Sequence, residues 1–363
     1  MEKATYNDAL LNIRATDKEF FAKAGERLDS LVKPPGSLGG LEEIAAKLCA
    51  ISGSLTPSID KRCILVFAAD NGVYAEGVAS APQSVTALQT INILNGATGV
   101  GVLAKRFNTD IIVTDVGIGA DISHEHLIDR KIRKSTGNIA KEAAMTAAEA
   151  RAAINAGFET AGAAKEKGYQ AVGIGEMGIG NTTTGSAALS ALLGYAGKDA
   201  DTVAGRGAGL SDEAFENKKR VIREALDFNK PDKNDPVDII QKVGGLDIAA
   251  MAGAYIGAAY HGLPAVIDGF ISAVAALCAV RLNPVIKEYM FASHSSFERG
   301  YQAAIKELGL SVCLDLAMRL GEGSGCPLMF GIMDSALDII KNMATFDEAM
   351  IGNLYAGQNA ISF

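Results

Sequence analysis

The stretch CILVFAADNG, residues 63–72, decides the fold class of this chain. It begins with an uninterrupted apolar run from Cys63 to Ala69 and ends in the polar sequence DNG. A short apolar run without polar alternation is typical of a strand that is buried on both faces of a parallel sheet. We therefore predict a strand over residues 63–69, followed directly by a polar turn.

The same pattern recurs further along the chain. Other apolar runs predict strands over residues 110–116, 170–174, 264–267 and 289–292. Helical patterns lie between the strands at residues 83–105, 142–166 and 237–259. Strands that alternate with helices indicate βαβ units, so the predicted fold class is α/β with a mostly parallel sheet.

The two ends of the chain lie outside this alternation. Residues 1–32 carry apolar positions at helical spacing, and Asp17 is a candidate N-cap. The sequence KPPGSLGGLE at residues 33–42 breaks that helix, and Ser37 is a candidate start for the next one. We predict two parts: a small helical subdomain built from both chain ends, and an α/β catalytic domain. Their predicted boundaries are residues 1–55 together with 335–363 for the first, and 56–334 for the second.

The composition argues against several classes of partner. The chain has 363 residues with 34 Lys and Arg against 42 Asp and Glu, a net charge of −8 without a basic stripe, so nucleic acid is not an expected partner. The most apolar stretch, about residues 248–280, is broken by His261, Pro264 and Asp268, and we predict buried helix, strand and helix rather than a membrane span. The charged N-terminal sequence lacks an apolar signal core, so we expect a cytoplasmic protein.

Polar residues gather where the predicted strands end, which is where ligands bind in parallel sheets. These residues are Asp70, Asp115, Glu176, Asp268 and Ser293. A metal site is not expected at His124 and His126, because they lie in a polar loop without a further ligand nearby.

The first candidate site is GEMGIGNTTT at residues 175–184, which follows a strand and opens a helix. Unpaired N–H groups at a helix N-terminus favour an anion, and glycines let a ligand approach the backbone. The sequence lacks GK[ST], so it is not a P-loop. A phosphate cradle is one interpretation, and a purely structural turn is the other.

The second candidate site is GRGAGL at residues 205–210, followed by the possible helix caps Ser211 and Asp212. Lys218 lies about two turns into the helix that follows. These residues could complete a phosphate pocket. The alternative is a surface loop and a solvated, charged helix face.

The third candidate site is MRLGEGSGC at residues 318–326, in which Glu322 is flanked by glycine on both sides. A glutamate in an apolar pocket can act as a general base. The alternative is a glycine-rich helix end with an exposed glutamate. A fourth segment, APQSVTALQ at residues 81–89, could line a pocket after the first strand.

Taken together, these segments resemble the nicotinate-nucleotide:5,6-dimethylbenzimidazole phosphoribosyltransferase family, known as CobT. The matching motifs occur in family order over about residues 28–345. They are KPPGSLGGLE, AADNGVYAEGV, VTALQ, DVGIGAD, GEMGIGNTT, NKKRVI, VGGLD, DGF, SHSSFERG and MRLGEGSG. The resemblance implies a Rossmann-like parallel sheet flanked by helices, a helical subdomain from both chain ends, and a dimer.

The resemblance also implies a reaction and a set of site residues. The family displaces nicotinate from nicotinate mononucleotide with a ring nitrogen of a benzimidazole, which gives an α-ribotide for the cobalamin nucleotide loop and needs no metal or redox cofactor. Glu322 matches the family's catalytic glutamate, and Glu176 a second acidic position. The positions expected to hold the nucleotide are Gly178, Gly180, Asn181, Thr182, Thr183, Gly205, Gly207, Lys218, Asp268 and Ser293. The positions expected to line the acceptor pocket are Ala81, Gln89 and Leu320.

Three residues depart from the family pattern. Ala81 stands where the family commonly has Ser, Asn71 where it has His, and Gly40 where it has Arg. Relatives of the family transfer the ribosyl group to phenol or cresol and work as pairs of unlike subunits. The alternatives are therefore a phenol- or cresol-specific subunit with a paralogous partner, or a supporting subunit without activity.

Overall fold

The computed structural model describes residues 4–352 and residue 355. Its strands are β1 (Arg62–Ala69), β2 (Asp110–Gly117), β3 (Leu127–Asp129), β4 (Ala171–Met177), β5 (Ala265–Ile267), β6 (Met290–His294) and β7 (Val312–Leu314). Within the described residues these strands form one sheet in the order β3-β2-β1-β4-β5-β6-β7, and every neighbouring pair is parallel. The predicted α/β class with a parallel sheet is confirmed.

The helices cover both faces of the sheet. They are α1 (Tyr6–Leu10), α2 (Lys18–Asp29), α3 (Gly40–Ser52), α4 (Val85–Leu94), α5 (Gly99–Arg106), α6 (Ala147–Glu166), α7 (Asn181–Leu193), α8 (Asp212–Asn229), α9 (Pro236–Val243), α10 (Leu246–Tyr260), α11 (Phe270–Leu282), α12 (Arg299–Leu308) and α13 (Cys326–Asn342). Short 3₁₀ helices lie at Gly72–Glu76, Gly197–Thr202 and Pro284–Tyr289.

The strand order reverses direction between β1 and β4, and this reversal positions the site. From β1 the sheet grows outward through β2 and β3, whereas from β4 it grows the other way through β5, β6 and β7. At such a switch point the loops that follow the two central strands diverge and leave a crevice at the carboxyl edge of the sheet. The residues that follow β1 and β4 therefore form the walls of one cleft.

The side chains of β1 alternate between two hydrophobic cores, as a strand buried on both faces requires. Leu65 and Phe67 face the core shared with α6, α7, α10 and α11. Ile64 and Val66 face the other core, which is formed with α2, α3, α5 and α13. The apolar residues from 63 to 69 are all buried, and this explains why the run shows no polar alternation.

Two of the predicted helices are each split in two. The stretch 83–105 forms α4 and α5, because Gly96 adopts a positive φ of 69° after α4 and Thr98 caps α5. The stretch 237–259 forms α9 and α10, which are separated by Gly244 and Gly245. The short edge strands β3 and β7 were not predicted, because each has only three residues and one of these is exposed.

Local signals at the N-terminal helices were only partly correct. Asp17 caps α2 by accepting hydrogen bonds from the backbone of Glu19 and Phe20, as predicted. Ser37 does not open the next helix, because α3 begins at Gly40 after Gly39, without a side-chain cap.

Helices from both chain ends pack on one face of the sheet. α2, α3 and α13 contact one another, and Leu31 forms a β-bridge with Thr345. α1 instead packs on α6 and α10 at the opposite face, and residue 335 lies inside α13. The predicted division into two domains stays a prediction, and residues 1–3, 353–354 and 356–363 of its terminal part lie outside the described residues.

The most apolar stretch folds as predicted, into helix, strand and helix. α10, β5 and α11 follow one another there, and they are almost completely buried. Among the described residues, no helix combines the length and the apolar character needed to cross a membrane.

Candidate active site

A cleft of about 370 Å³ opens at the carboxyl ends of β1, β4, β5 and β6. Six segments far apart in the chain line it. They are residues 78–89, 176–182, 206–210, 268–272, 294–298 and 319–322. The first, second and third candidate sites of the sequence therefore meet in one place.

Glu322 is buried in the wall of this cleft, with 4% of its surface exposed. One carboxylate oxygen accepts a 2.7 Å hydrogen bond from the side-chain amide of Gln89. The other accepts a 3.3 Å bond from the backbone N–H of Val100, in the first turn of α5. The Gln89 amide and the Val100 N–H are both hydrogen-bond donors, so both carboxylate oxygens of Glu322 act as acceptors. The partial positive charge of the α5 N-terminus adds to this attraction. The alternative of an exposed glutamate is wrong.

The backbone that carries Glu322 has an unusual conformation. Gly321, Glu322 and Gly323 have φ angles of 84°, 63° and 86°, and a non-glycine residue rarely adopts a positive φ. The turn also lies directly against β4, because a Cβ on Gly175 would stand 2.5 Å from the backbone nitrogen of Gly323. Glycines on both sides thus let a carboxylate project from a tightly packed turn.

Glu176 faces the same turn from the end of β4. The side-chain amide of Asn181 donates to its carboxylate, and the backbone N–H of Glu322 also bonds it. The same Asn181 nitrogen donates to the buried carboxylate of Asp247 at 3.0 Å. Burial, followed by the negative charge of Asp247, raises the pKa of Glu176 to about 8. Burial likewise raises the pKa of Asp247 to about 6.

The N-terminus of α7 forms one end of the cleft. Gly180 precedes the helix with a positive φ of 94°, and it makes no side-chain cap bond. Gly178, Gly180, Asn181 and Thr182 line the cleft. The backbone N–H groups of Asn181 and Thr183 donate to the carbonyls of Gly178 and Gly180. Thr183 is fully buried and does not line it.

Lys218 is fully buried, which makes the alternative of a solvated helix face wrong. Its ammonium group donates to the Thr182 hydroxyl at 2.9 Å and to the Gly205 carbonyl at 2.8 Å. Burial lowers the pKa of Lys218 to about 8, and the nearby charge of Glu298 opposes that shift. Lys218 therefore ties the loop at residues 205–210 to the start of α7 from behind, whereas Gly207 lines the cleft.

The predicted acceptor residues meet at the other end of the cleft. Ala81, Gln89 and Leu320 all line it, beside Glu322. Leu320 lies against α5, where a Cβ on Gly99 would stand 2.4 Å from a Leu320 methyl group. An apolar, partly exposed side chain next to a buried carboxylate suits a flat aromatic ring.

Two predicted nucleotide residues have other partners. Ser293 is buried, and its hydroxyl contacts the backbone carbonyl of Asp268 at 3.1 Å and the His294 ring at 3.0 Å rather than lining the cleft. Asp268 lines the cleft, but its carboxylate accepts bonds from the backbone of Gly323 and Gly325.

Sequence reasoning missed two acidic residues of the site. Asp247 lies within the VGGLD motif, but an acidic residue in the first turn of a helix usually caps it, and only the fold reveals its contact with Asn181. Glu298 lines the cleft, and its buried Oε2 has no hydrogen-bond partner among the described residues. It lies so close to Gly205 that any side chain there would collide with it.

The fold and the cleft define a class: an α/β enzyme in which a glycine-rich helix start faces a buried carboxylate across a small pocket. A family model described as "Phosphoribosyltransferase" matches residues 13–351. The nicotinate-nucleotide–dimethylbenzimidazole phosphoribosyltransferase of Clostridium perfringens is 53% identical, over 96% of each chain. The enzyme of that name from Acetivibrio thermocellus is 47% identical, over 92% of this chain and 94% of that one.

Solved structures agree with these sequence relatives. A crystal structure of the Thermus thermophilus enzyme of that name has a TM-score of 0.86 at 38% identity, over 92% of this chain and 99% of that one. A second, titled as CobT from the same organism, has a TM-score of 0.88 at the same identity and coverage. The chain belongs to the nicotinate-nucleotide–dimethylbenzimidazole phosphoribosyltransferase family. The phenol-specific and inactive alternatives find no support among these relatives.

Proposed function

We propose that this chain transfers the ribosyl phosphate of nicotinate mononucleotide to 5,6-dimethylbenzimidazole or a similar base, giving an α-ribotide and nicotinate. Family membership supports the reaction, and the buried carboxylate of Glu322 is the observation that carries it. Gln89 and the N-terminus of α5 hold that carboxylate at the cleft wall. The ribotide would serve as the lower-ligand nucleotide of a cobalamin-type cofactor.

The phosphate is proposed to bind where α7 begins. The cleft wall there consists of Gly178, Gly180, Asn181 and Thr182, and Gly207 faces it from the neighbouring loop. Helix N-termini and glycine-rich turns present backbone N–H groups to anions. Thr183, Gly205 and Lys218 act from behind this surface, and Lys218 places a positive charge there.

The acceptor is proposed to lie between Ala81, Gln89 and Leu320. As one ring nitrogen forms its bond to C1′ of the ribose, the azole N–H proton passes to the carboxylate of Glu322. The bond between C1′ and the pyridinium nitrogen breaks, and its electron pair stays on nicotinate. Because this leaving group begins as a cation, its departure needs neither an acid catalyst nor a metal or redox cofactor.

Glu176 is proposed as the second acidic residue of the reaction. Its raised pKa of about 8 leaves it mostly protonated at neutral pH. A second negative charge beside the carboxylate of Glu322 is thereby avoided. The contact of the Glu176 carboxyl group with the backbone N–H of Glu322 joins Glu176 to the turn that carries the proposed base.

The test is incubation of the purified chain with nicotinate mononucleotide and dimethylbenzimidazole, followed by chromatography and mass analysis. The expected products are the α-ribotide and an equal amount of nicotinate. Phenol, cresol and adenine serve as competing acceptors in parallel reactions, and an azole is expected to react fastest. Absence of a ribotide with every acceptor would contradict the proposal.

The active form is proposed to be a homodimer, an expectation that comes from the family resemblance. Light scattering on a size-exclusion column should then give twice the chain mass of 37.7 kDa. A mass equal to one chain would contradict this assembly. A monomer that becomes active only when a paralogous chain is added would instead indicate a heterodimer.

A further inference from the structure

The carboxylate of Asp268 forms two hydrogen bonds with the turn that carries Glu322, residues 321–325. Its two oxygens accept separate backbone bonds, from Gly323 N–H at 2.9 Å and from Gly325 N–H at 2.7 Å. Asp268 follows β5 directly and is almost completely buried, so its carboxylate is anchored to the sheet. A rigid strand end therefore holds the turn at two points next to the catalytic carboxylate.

These two hydrogen bonds are important because the turn does not adopt a relaxed backbone conformation. Glu322 has a left-handed φ of 63°, which a residue with a side chain keeps only where its surroundings enforce it. Within the turn, a backbone bond from Ser324 to Gly321 at 3.0 Å closes the chain on itself. The Asp268 carboxylate adds the tertiary restraint that fixes the turn relative to the sheet, and hence to Gln89 and α5.

The same geometry argues against a role for Asp268 in holding the phosphate. Both oxygens of this side chain are already engaged by donors from the protein. Its backbone carbonyl is also in use, because it accepts the Ser293 hydroxyl. Holding the turn is therefore an alternative role for Asp268 to the nucleotide binding expected from the sequence.

We infer that Asp268 is a positioning residue, which acts on the reaction by fixing the orientation of Glu322. The inference rests on the proposed function, since it assumes that Glu322 is the base. A misplacement of about 1 Å at a reacting group can cost about a hundredfold in rate. The effect of Asp268 should thus appear in the chemical step and not in the binding of the nucleotide.

The test compares Asp268→Asn with the unchanged chain in steady-state kinetics. The amide nitrogen of Asn faces one of the two backbone N–H groups as a second donor, so one bond is lost and the turn shifts. We expect kcat to fall about tenfold or more, while the KM for nicotinate mononucleotide changes less than about threefold. A raised KM with unchanged kcat would overturn the inference and favour nucleotide binding.

A double-mutant cycle separates positioning from general structural damage. If Asp268 acts through Glu322, Asp268→Asn should cause little further loss in the residual rate of Glu322→Gln. An equal loss in both backgrounds would overturn the inference. If the unchanged chain makes no ribotide at all, the proposed function itself fails. That outcome differs from either result of the double-mutant cycle.

Asp115 provides a matched control. It is also a buried aspartate near the carboxyl end of a strand, and it accepts two backbone bonds, from Gly117 at 3.0 Å and Ile118 at 2.9 Å. It does not line the cleft. Asp115→Asn should lower the melting temperature without altering kcat per folded molecule. If Asp268→Asn does not fold, Asp268→Glu retains the carboxyl group but displaces the turn, and should show the same loss of kcat.

Discussion

The side-chain amide of Gln89 donates a 2.7 Å hydrogen bond to the carboxylate of Glu322, although 233 positions separate the two residues in the chain. The bond joins α4, which follows the first strand of the sheet, to the turn that precedes α13. It aligns the proposed base with a pocket lined by the same Gln89.

Replacement of Gln89 by Leu should therefore lower turnover without unfolding the protein. A hydrogen bond to a charged group contributes about 1.5–3 kcal/mol, so we expect kcat to fall by about tenfold or more. Acceptor titrations at saturating nucleotide would measure this. Gln170→Leu, at the opposite edge of the sheet, is the control and should keep full activity. Equal rates for Gln89→Leu and the unchanged chain would remove the bond from the mechanism.

Gly175→Ala should disturb the turn that carries Glu322 directly. The added methyl group would lie 2.5 Å from the nitrogen and 2.6 Å from the Cα of Gly323, which are backbone atoms that cannot rotate away. We expect a loss of about 1–3 kcal/mol in the free energy of unfolding, and a fall in kcat of up to about a hundredfold. Gly25→Ala, in α2 with open space around it, should instead be neutral or stabilising in the same denaturation experiment.

Lys218→Met should weaken nucleotide binding. The new side chain has a similar length but cannot bond the Thr182 hydroxyl or the Gly205 carbonyl, so the two halves of the proposed phosphate site separate. We expect the dissociation constant of nicotinate mononucleotide to rise about tenfold or more, as measured by calorimetry. The neighbouring Lys219→Met is the matched control, because the ammonium group of Lys219 pairs with the exposed Glu216. Unchanged affinity in Lys218→Met would contradict the assignment.

Stability should decline with rising pH because of Glu176. Its pKa is raised from 4.5 to about 8 on folding, so the folded state binds the proton more tightly. The resulting stabilisation is complete below pH 4.5 and is lost as the pH rises through about 8. Asp247 and Asp268, with pKa values raised to about 6 and about 7, act in the same direction.

Glu176→Gln should make this decline shallower, because a neutral amide replaces the titrating group. Denaturant unfolding at about pH 5 and about pH 8 measures the difference, and the exposed Glu213→Gln controls for the substitution itself. An identical pH slope in Glu176→Gln and the unchanged chain would contradict the coupling.

Features that depend on neighbouring residues could be predicted from the sequence. The run from Cys63 to Ala69 predicts β1, because burial on both faces removes every polar residue from it. The glycine-rich segment before Asn181 predicts a helix start, because glycine readily adopts the left-handed conformation that Gly180 has directly before the helix. Such signals lie within a few residues of one another.

Features that depend on tertiary contacts could not be predicted in this way. Lys218 lies in a strongly charged helix, and nothing local distinguishes it from its neighbour Lys219, which pairs with the exposed Glu216. Asp268 and Gly323 are 55 positions apart, so the hydrogen bond between them forms only once β5 and the turn that carries Glu322 are adjacent. Ser293 is the penultimate residue of β6, beside the site, but its hydroxyl donates to the backbone carbonyl of Asp268.

The most direct test of the account is the turnover of Glu322→Gln. The amide keeps the size of the side chain but cannot accept the azole proton. We expect kcat to fall by about 10²–10⁴, while the dissociation constant of nicotinate mononucleotide and the melting temperature stay near those of the unchanged chain. A variant that turns over at the original rate would show that Glu322 is not the base, and would contradict the mechanism built on it.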